Sequence, residues 1–442
     1  MPDSSKKILI ISYYWPPSGG AGVQRIFKFA KYLSQSGFDP FVVTVDDKVA
    51  SYPIRDQSLL ADVPADLKVF HTHSFEPLNI LTKLTGNKAP YGGFANKDKE
   101  KFSQKVLRFI RGNFFIPDAR KGWVKYAYAK AEELIAKENI ETVIISSPPH
   151  SSQLIGLKLK KKFPRLKWIA DLRDPWTDIF YYKDMLHTKM AAAKDASYEK
   201  LVVEQADALI VVSKPILKNY LSKSSKITES KIHVIPNGFD EDDFPPMKPT
   251  VNEAFTITYV GTIADIYNPT IFFQSLRNAI DKKPAIKVKL RFVGGRTENI
   301  TSLVQKNNLV DVTEFISHVK HETAIHYMRT SDLLLLVIPD VPDSKGILTG
   351  KLFEYLASRK PIVCIGPKEG DAARIIKECL AGATFTRNEG SEMSAYILDM
   401  MKQWSENGSI INQSLTFEKY SRKNLTSRLI KIISGNSQTN NL

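Results

Sequence analysis

The sequence predicts an α/β protein built from two Rossmann-like domains. Three observations carry that reading. A chain of 442 residues is too long for one hydrophobic core of ordinary size. Short apolar runs alternate with longer helical patterns, as parallel βαβ units do in sequence. The alternation comes as two successive sets, separated by the Pro236-Asn237-Gly238 turn and the acidic, proline-bearing stretch from Asp240 to Pro249.

In the first set, Lys7 to Ser12 reads as a strand, Gly22 to Ser36 as a helix and Asp39 to Thr44 as a second strand. Further strands are expected at Thr142 to Ser146, Lys167 to Asp171, Ala208 to Val212 and Lys231 to Ile235. The weakly patterned stretch from Asp46 to Asp118 is expected to carry insertions that recognise a substrate. The second set places strands at Thr256 to Val260, Lys287 to Val293, Asp311 to Phe315, Leu333 to Val337 and Ile362 to Ile365. A last helix, Thr416 to Ile433, has no strand after it to pair with, and the polar tail from Ser434 is expected to fray. The domains are therefore set at 1–240 and 241–415, followed by the 416–433 helix and a disordered tail, 434–442.

Composition excludes several classes. Hydrophobic residues make up 43% and charged residues 25%, the balance of a soluble globular chain. The longest apolar runs, such as Ile8 to Ile11 and Leu333 to Ile338, fall far short of the roughly 20 residues that span a bilayer. Lys6 and Lys7 before so short a run make a poor signal peptide, so a cytoplasmic location is expected. Cys364 and Cys379 are too few for a disulfide framework, lack metal-ligand spacing and read as core.

The formal charge of +15 is unevenly spread, since residues 1–250 hold 38 Lys/Arg against 28 Asp/Glu. Within that half Lys101, Lys105, Arg108 and Arg111 fall at helical spacing, interleaved with Phe102, Val106, Phe109 and Ile110 and followed by Phe114 and Phe115. This reads either as a basic amphipathic helix suited to an anionic membrane surface or as a solvated helix face. The run Lys158, Lys160, Lys161, Lys162, Arg165, Lys167 adds to the basic character. With no aromatic RNA-binding signature, zinc spacing or recognition helix, nucleic acid is not an expected partner.

Strand one runs into Tyr13-Tyr14-Trp15-Pro16-Pro17-Ser18-Gly19-Gly20-Ala21-Gly22 and then a helix. Glycines there let a ligand approach the backbone, and a helix N-terminus attracts phosphate. The dinucleotide fingerprint fails, because Arg25 stands where its third glycine would. Pro148-Pro149-His150 follows a predicted strand at the ligand-binding edge of such sheets, which makes His150 a candidate to touch a substrate as well as an ordinary loop histidine. Asp171-Leu172-Arg173-Asp174-Pro175-Trp176 reads either as a self-satisfied ion-pair turn, which the residues alone favour, or as an acceptor-binding rim. Lys351 and Glu354 share one helix face near its positive end, where they would hold a nucleoside diphosphate through phosphate and ribose; by spacing alone they read as a surface pair.

Taken in order and spacing, these segments, together with Val234 to Asp240, Tyr259-Val260-Gly261-Thr262 and Gly350 to Ala357, resemble the retaining GT-B glycosyltransferases of family 4, the kind that builds bacterial cell-surface polysaccharides. The resemblance covers nearly the whole chain. It implies an N-terminal domain that binds the acceptor, a C-terminal domain that binds the nucleotide sugar across a cleft, and a final helix returning to the N-terminal domain. It places Gly20 near the donor phosphates, His150 near the transferred sugar and Glu354 on the ribose, the last two being the catalytic candidates. Gly294, Gly295 and the Ser317-His318-Val319 loop would line the nucleotide pocket. Gly19, Gly22, Arg25, Arg173 and Asp174 would lie on the acceptor side.

Two departures stand out. The family's paired glutamates would put the first at Gly346, which leaves Asp340 or Asp343 to serve the sugar. The cations that usually follow the Gly261 loop are missing from Asp265 to Ser275, and Arg296 and Lys351 are the nearest substitutes. The resemblance implies transfer with retention, with no cofactor and no metal, to a glycan or polyprenyl-linked acceptor. Its rivals are a nucleotide-sugar epimerase or hydrolase of the same architecture and a non-catalytic sugar-nucleotide-binding subunit.

Overall fold

The computed structural model describes residues 6–76, 102–248 and 250–435. Two compact units result, Met1–Pro236 with Leu425–Leu442, and Asn237–Asn424. Lys101 and residues 436–442 of the expected tail lie outside the described residues.

The first unit is organised on a parallel sheet: β1 Lys7–Ile11, β2 Asp39–Val45, β3 Lys68–Thr72, β4 Thr142–Ser147, β5 Lys167–Leu172, β6 Ala208–Val211 and β7 Ile232–Val234. Its order is β3-β2-β1-β4-β5-β6-β7. Both faces are covered. Leu9 and Ile11 enter one apolar cluster with Leu134 and Ile155, and Ile8 and Ile10 enter the other with Ile26 and Leu33. Burial on both faces is why these strands read as continuous apolar runs. The edge strand β3, with Lys68 and His71 exposed, carries no such run and was hidden in the weakly patterned stretch. Strand order reverses between β1 and β4, so the loops after these strands diverge and leave a crevice at their C-terminal ends.

The second unit repeats the plan with β8 Phe255–Val260, β9 Val288–Val293, β10 Thr313–Ile316, β11 Leu333–Val337, β12 Ile362–Ile365 and β13 Gly382–Phe385. All pairings are parallel, in the order β10-β9-β8-β11-β12-β13, with the reversal between β8 and β11. The unpredicted strand β13 has the sequence Gly-Ala-Thr-Phe, too small-sided to show a hydrophobic run. Cys364 and Cys379 are both buried in this unit.

Three sequence expectations are corrected here. The last helix does not run from Thr416. A short 3-10 turn, Thr416–Tyr420, buries Phe417 and Tyr420 in the second unit, and the helix is Arg422–Ile433. Its Leu425, Leu429 and Ile432, spaced at helical intervals, join the core of the first unit, where Lys167 Nζ donates to the carbonyls of Ile432 and Ile433 at 2.7 and 2.9 Å.

The lysine run at 158–167 is likewise occupied: Lys160 pairs with Asp207 at 2.8 Å, Lys162 with Glu132, and Lys158 lies over the Tyr128 ring. These three side chains thus have acidic or aromatic partners, whereas Lys161 and Arg165 of the same run are exposed. Finally, the Phe102–Phe114 helix turns its arginines inward. Arg108 donates to the Asp184 carbonyl at 3.3 Å, and burial lowers the pKa of Arg111, whereas Val106, Phe109 and Phe114 are exposed.

Candidate active site

In the second unit the site grows from the ends of β8 and β9. Gly261 follows β8 with φ +105 and Gly294 follows β9 with φ +124, a region that L side chains avoid. A side chain at Gly294 would meet the Gly261 backbone at 2.8 Å, and one at Gly261 would meet Lys351 Cε at 2.5 Å. The two turns are thus pressed together, and Ile263 N donates to Gly295 O at 2.9 Å to fix them.

Into this loop comes Lys351, from the helix Gly350–Ala357. Its Nζ donates to Tyr259 Oη at 2.6 Å, and the ammonium lies 4.4 Å from the Tyr259 ring centroid. Burial pushes the Lys351 pKa down to about 8, an effect Glu354 partly opposes. The Thr349 side chain does not cap this helix, and its Oγ1 is buried with no hydrogen-bond partner. An ammonium disfavoured by its surroundings beside uncapped helix amides is an arrangement that an anion would relieve.

Glu354 stands one turn along the same helix. Burial raises its pKa, while His321 and Arg422 act against that shift. His321 also faces Asp243 at 3.2 Å. These neighbours were not singled out from sequence, because they come from three separate segments.

Arg296 is exposed, with its guanidinium 3.9 Å from the Phe315 ring centroid, and its backbone bridges Ile263. Ser317 is exposed, while Val319 packs against the core. Gly346 is buried in a short 3-10 turn, and Asp340 pairs with Arg387 at 3.4 Å. Arg387 was missed by the sequence reading; its Nη2 donates to the carbonyls of Tyr267 and Ile338, tying Asp340 to the loops around Lys351.

In the first unit the corresponding elements are the ends of β1, β4 and β5. Gly20, at φ +103, precedes the helix Ala21–Gln35, which has no side-chain cap. Gly19 donates its N–H to Ile54 O at 3.0 Å. A side chain at Gly22 would fall 1.7 Å from Arg173 Nη1, so glycine there makes room for the guanidinium beside the helix start. Arg173 is held by Nε to Ser147 O and Nη2 to Pro148 O, each 3.0 Å. Burial raises the Asp174 pKa and lowers that of Arg173.

Arg25 requires correction. It is 1% exposed, pairs with Asp171 at 2.9 Å, and donates through Nη1 to Pro236 O at 2.7 Å. It braces the sheet and does not face an acceptor. The expected ion-pair turn within 171–176 is corrected by the same contact, since the Asp171 partner is Arg25 and Arg173 bonds to carbonyls.

His150 opens a one-turn helix after Pro148-Pro149 and stacks on Trp176, with centroids 4.7 Å apart and planes 12° apart. Burial pushes its pKa down to about 4, so the imidazole is neutral near pH 7, and Nδ1 is buried with no hydrogen-bond partner. Trp176 is itself anchored, since Nε1 donates to Asp195 at 2.9 Å.

Comparison with known proteins shows what these two units are similar to. The profile of Glycosyltransferase Family 4 matches residues 18–243. TuaH of Bacillus subtilis (strain 168), named as a teichuronic acid biosynthesis glycosyltransferase, is 22% identical over 202 residues, 44% of this chain and 49% of that protein. The match therefore spans about half the length of that relative. Among solved structures, Anabaena Alr3699/HepE in complex with UDP and glucose aligns over 97% of this chain and 99% of its own, with TM-score 0.61 and 14% identity. Sucrose-phosphate synthase from Thermosynechococcus elongatus aligns over 97% and 98%, with TM-score 0.57 and 15% identity.

Proposed function

Since the chain belongs to glycosyltransferase family 4, we propose that it moves a sugar from a nucleoside-diphosphate donor to a glycan or polyprenyl-linked acceptor, with retention of configuration and without a metal. The protein is a glycosyltransferase of the GT-B type. The acceptor would be met at the cytoplasmic face of an anionic membrane; among the described residues no helix is long and apolar enough to cross one.

The observation that carries the donor assignment is the Lys351 ammonium against the Gly261 loop. Cations are absent from Asp265 to Ser275 after the Gly261 loop, yet one is supplied from the distant helix Gly350–Ala357. In the proposed reaction the acceptor oxygen bonds to the anomeric carbon as the bond from that carbon to the diphosphate oxygen breaks, on the same face. The acceptor proton passes to the departing phosphate. Lys351, Arg296 and the amides at Gly350 stabilise the charge that develops there, by donors already in place. Glu354 accepts hydrogen bonds from ribose hydroxyls, and Gly20 and Arg173 serve phosphate and acceptor. His150, neutral at pH 7, contacts the sugar as positive charge grows on its ring, which an imidazolium would oppose.

The experiment is a panel of nucleoside diphosphates and nucleotide sugars, UDP and its sugars first, followed by thermal shift and then by product analysis with and without extracted polyprenyl-linked glycans. Turnover only with acceptor is the expected result. Turnover without acceptor would establish an epimerase or hydrolase, and binding without turnover a non-catalytic subunit.

A further inference from the structure

An amphipathic helix on a folded protein ordinarily buries its apolar face. On the Phe102–Phe114 helix, by contrast, several polar residues are held inward while Val106, Phe109 and Phe114 are exposed. Arg108 is directed to the Asp184 carbonyl, and Gly112 lies so close to Met185 O that an added side chain would fall 2.3 Å from it. Asn113 closes the contact by donating to Leu186 O at 3.0 Å and accepting from Thr188 N at 2.7 Å. The polar side is thus spent on the segment that follows β5. Outward stand Val106, Phe109 (43% exposed) and Phe114 (72% exposed).

The segment that holds the helix extends the same surface. Leu186 and Met190 are exposed, the latter at 83%, and they flank the residues bonded to Asn113. Lys105, Lys183 and Lys189 are exposed beside these apolar side chains. Exposed Phe, Leu and Met side chains with exposed lysines in the same two segments match the two layers of an anionic bilayer surface, acyl boundary and phosphate headgroups.

We propose that Val106, Phe109, Phe114, Leu186 and Met190, with Lys105, Lys183 and Lys189, form a face that docks on an anionic lipid bilayer. The inference rests on the reading of a membrane-presented acceptor and names the surface involved. It differs from the expectation drawn from sequence, in which Lys101, Lys105, Arg108 and Arg111 supplied the charge: Lys105 is retained, the two arginines turn inward, and Lys183 and Lys189 on a second segment add to the attraction.

The test is cosedimentation with vesicles of phosphatidylcholine alone or phosphatidylcholine mixed with phosphatidylglycerol, at low and high salt. Wild-type protein is expected to pellet with the anionic vesicles and to be released by salt. The triple variant Lys105→Gln, Lys183→Gln, Lys189→Gln should partition on the order of a hundredfold more weakly. Phe109→Ser with Phe114→Ser and Met190→Ser should also lose binding. These are exposed side chains, so both variants are expected to keep the wild-type melting temperature. Equal pelleting with both vesicle types, or variants that pellet like wild type, overturns the proposal. So does a dimer that the apolar variant converts to monomer in light scattering, since the face would then bind a second copy. UDP affinity is measured on the same samples without vesicles: absence of nucleotide binding with intact docking rejects the donor reading alone, whereas normal nucleotide binding without docking rejects this inference alone.

Discussion

Replacing Lys351 with Met separates a ligand-binding cation from a structural one, because the two roles give effects of opposite sign. Met keeps the length and apolar stem that pack under Gly261 and removes the charge. The lost contacts are the hydrogen bonds to Tyr259 Oη and, at 3.5 Å, to Thr262 O, but that hydroxyl still donates to that carbonyl at 3.0 Å, so neither is orphaned. Removing a half-buried cation whose protonated form its surroundings disfavour should leave stability unchanged or raise it. A charge-assisted bond to phosphate is worth about 1.5 to 3 kcal/mol, so affinity for UDP should fall roughly ten- to hundredfold.

The pH dependence adds a second arm. The free ammonium titrates near 8, below the ordinary lysine value, and a bound diphosphate pulls that pKa up, so binding takes up a proton above pH 8. Wild-type affinity should be full below that pH and fall roughly tenfold between about pH 7 and about pH 9, a slope the variant lacks. Calorimetric titration with UDP at both pH values, beside the melting temperature, measures all of this. A variant that binds UDP within about twofold of wild type and melts at a lower temperature would refute the argument.

Three further changes test the rest of the site. Glu354→Ala should weaken nucleotide binding about tenfold with little change in melting temperature, and an unchanged dissociation constant would remove Glu354 from the donor site. His150→Ala should lower kcat far more than donor affinity; turnover within about twofold of wild type at saturation, a gap under roughly 0.5 kcal/mol, rejects the sugar contact. Because His150 stays neutral down to about pH 4, the wild-type kcat profile should also lack a His150 protonation step near pH 6.5. Arg25→Ala should destabilise the first unit by about 3 to 5 kcal/mol, since Asp171 would be left buried and uncompensated, and a denaturation midpoint equal to wild type would contradict the ion pair.

The sequence by itself determined the two parallel sheets, because strands buried on both faces must be apolar throughout and so mark themselves. It also determined the glycines after β1, β8 and β9, where φ values of +103, +105 and +124 exclude other residues without strain. The edge strands β3 and β13 escaped for the complementary reason, since one-sided exposure or small side chains leave no run to read. Only tertiary structure decided the partners of charged groups. Asp171 meets Arg25 across 146 positions of chain, and Lys351 meets the Gly261 loop across about ninety, contacts that no local spacing encodes. The same holds for the Phe102–Phe114 helix, whose periodicity gives an apolar and a basic side but not which of them turns outward. That choice was made by the carbonyls of Asp184 and Leu186, which captured polar side chains and left Phe109 and Phe114 exposed.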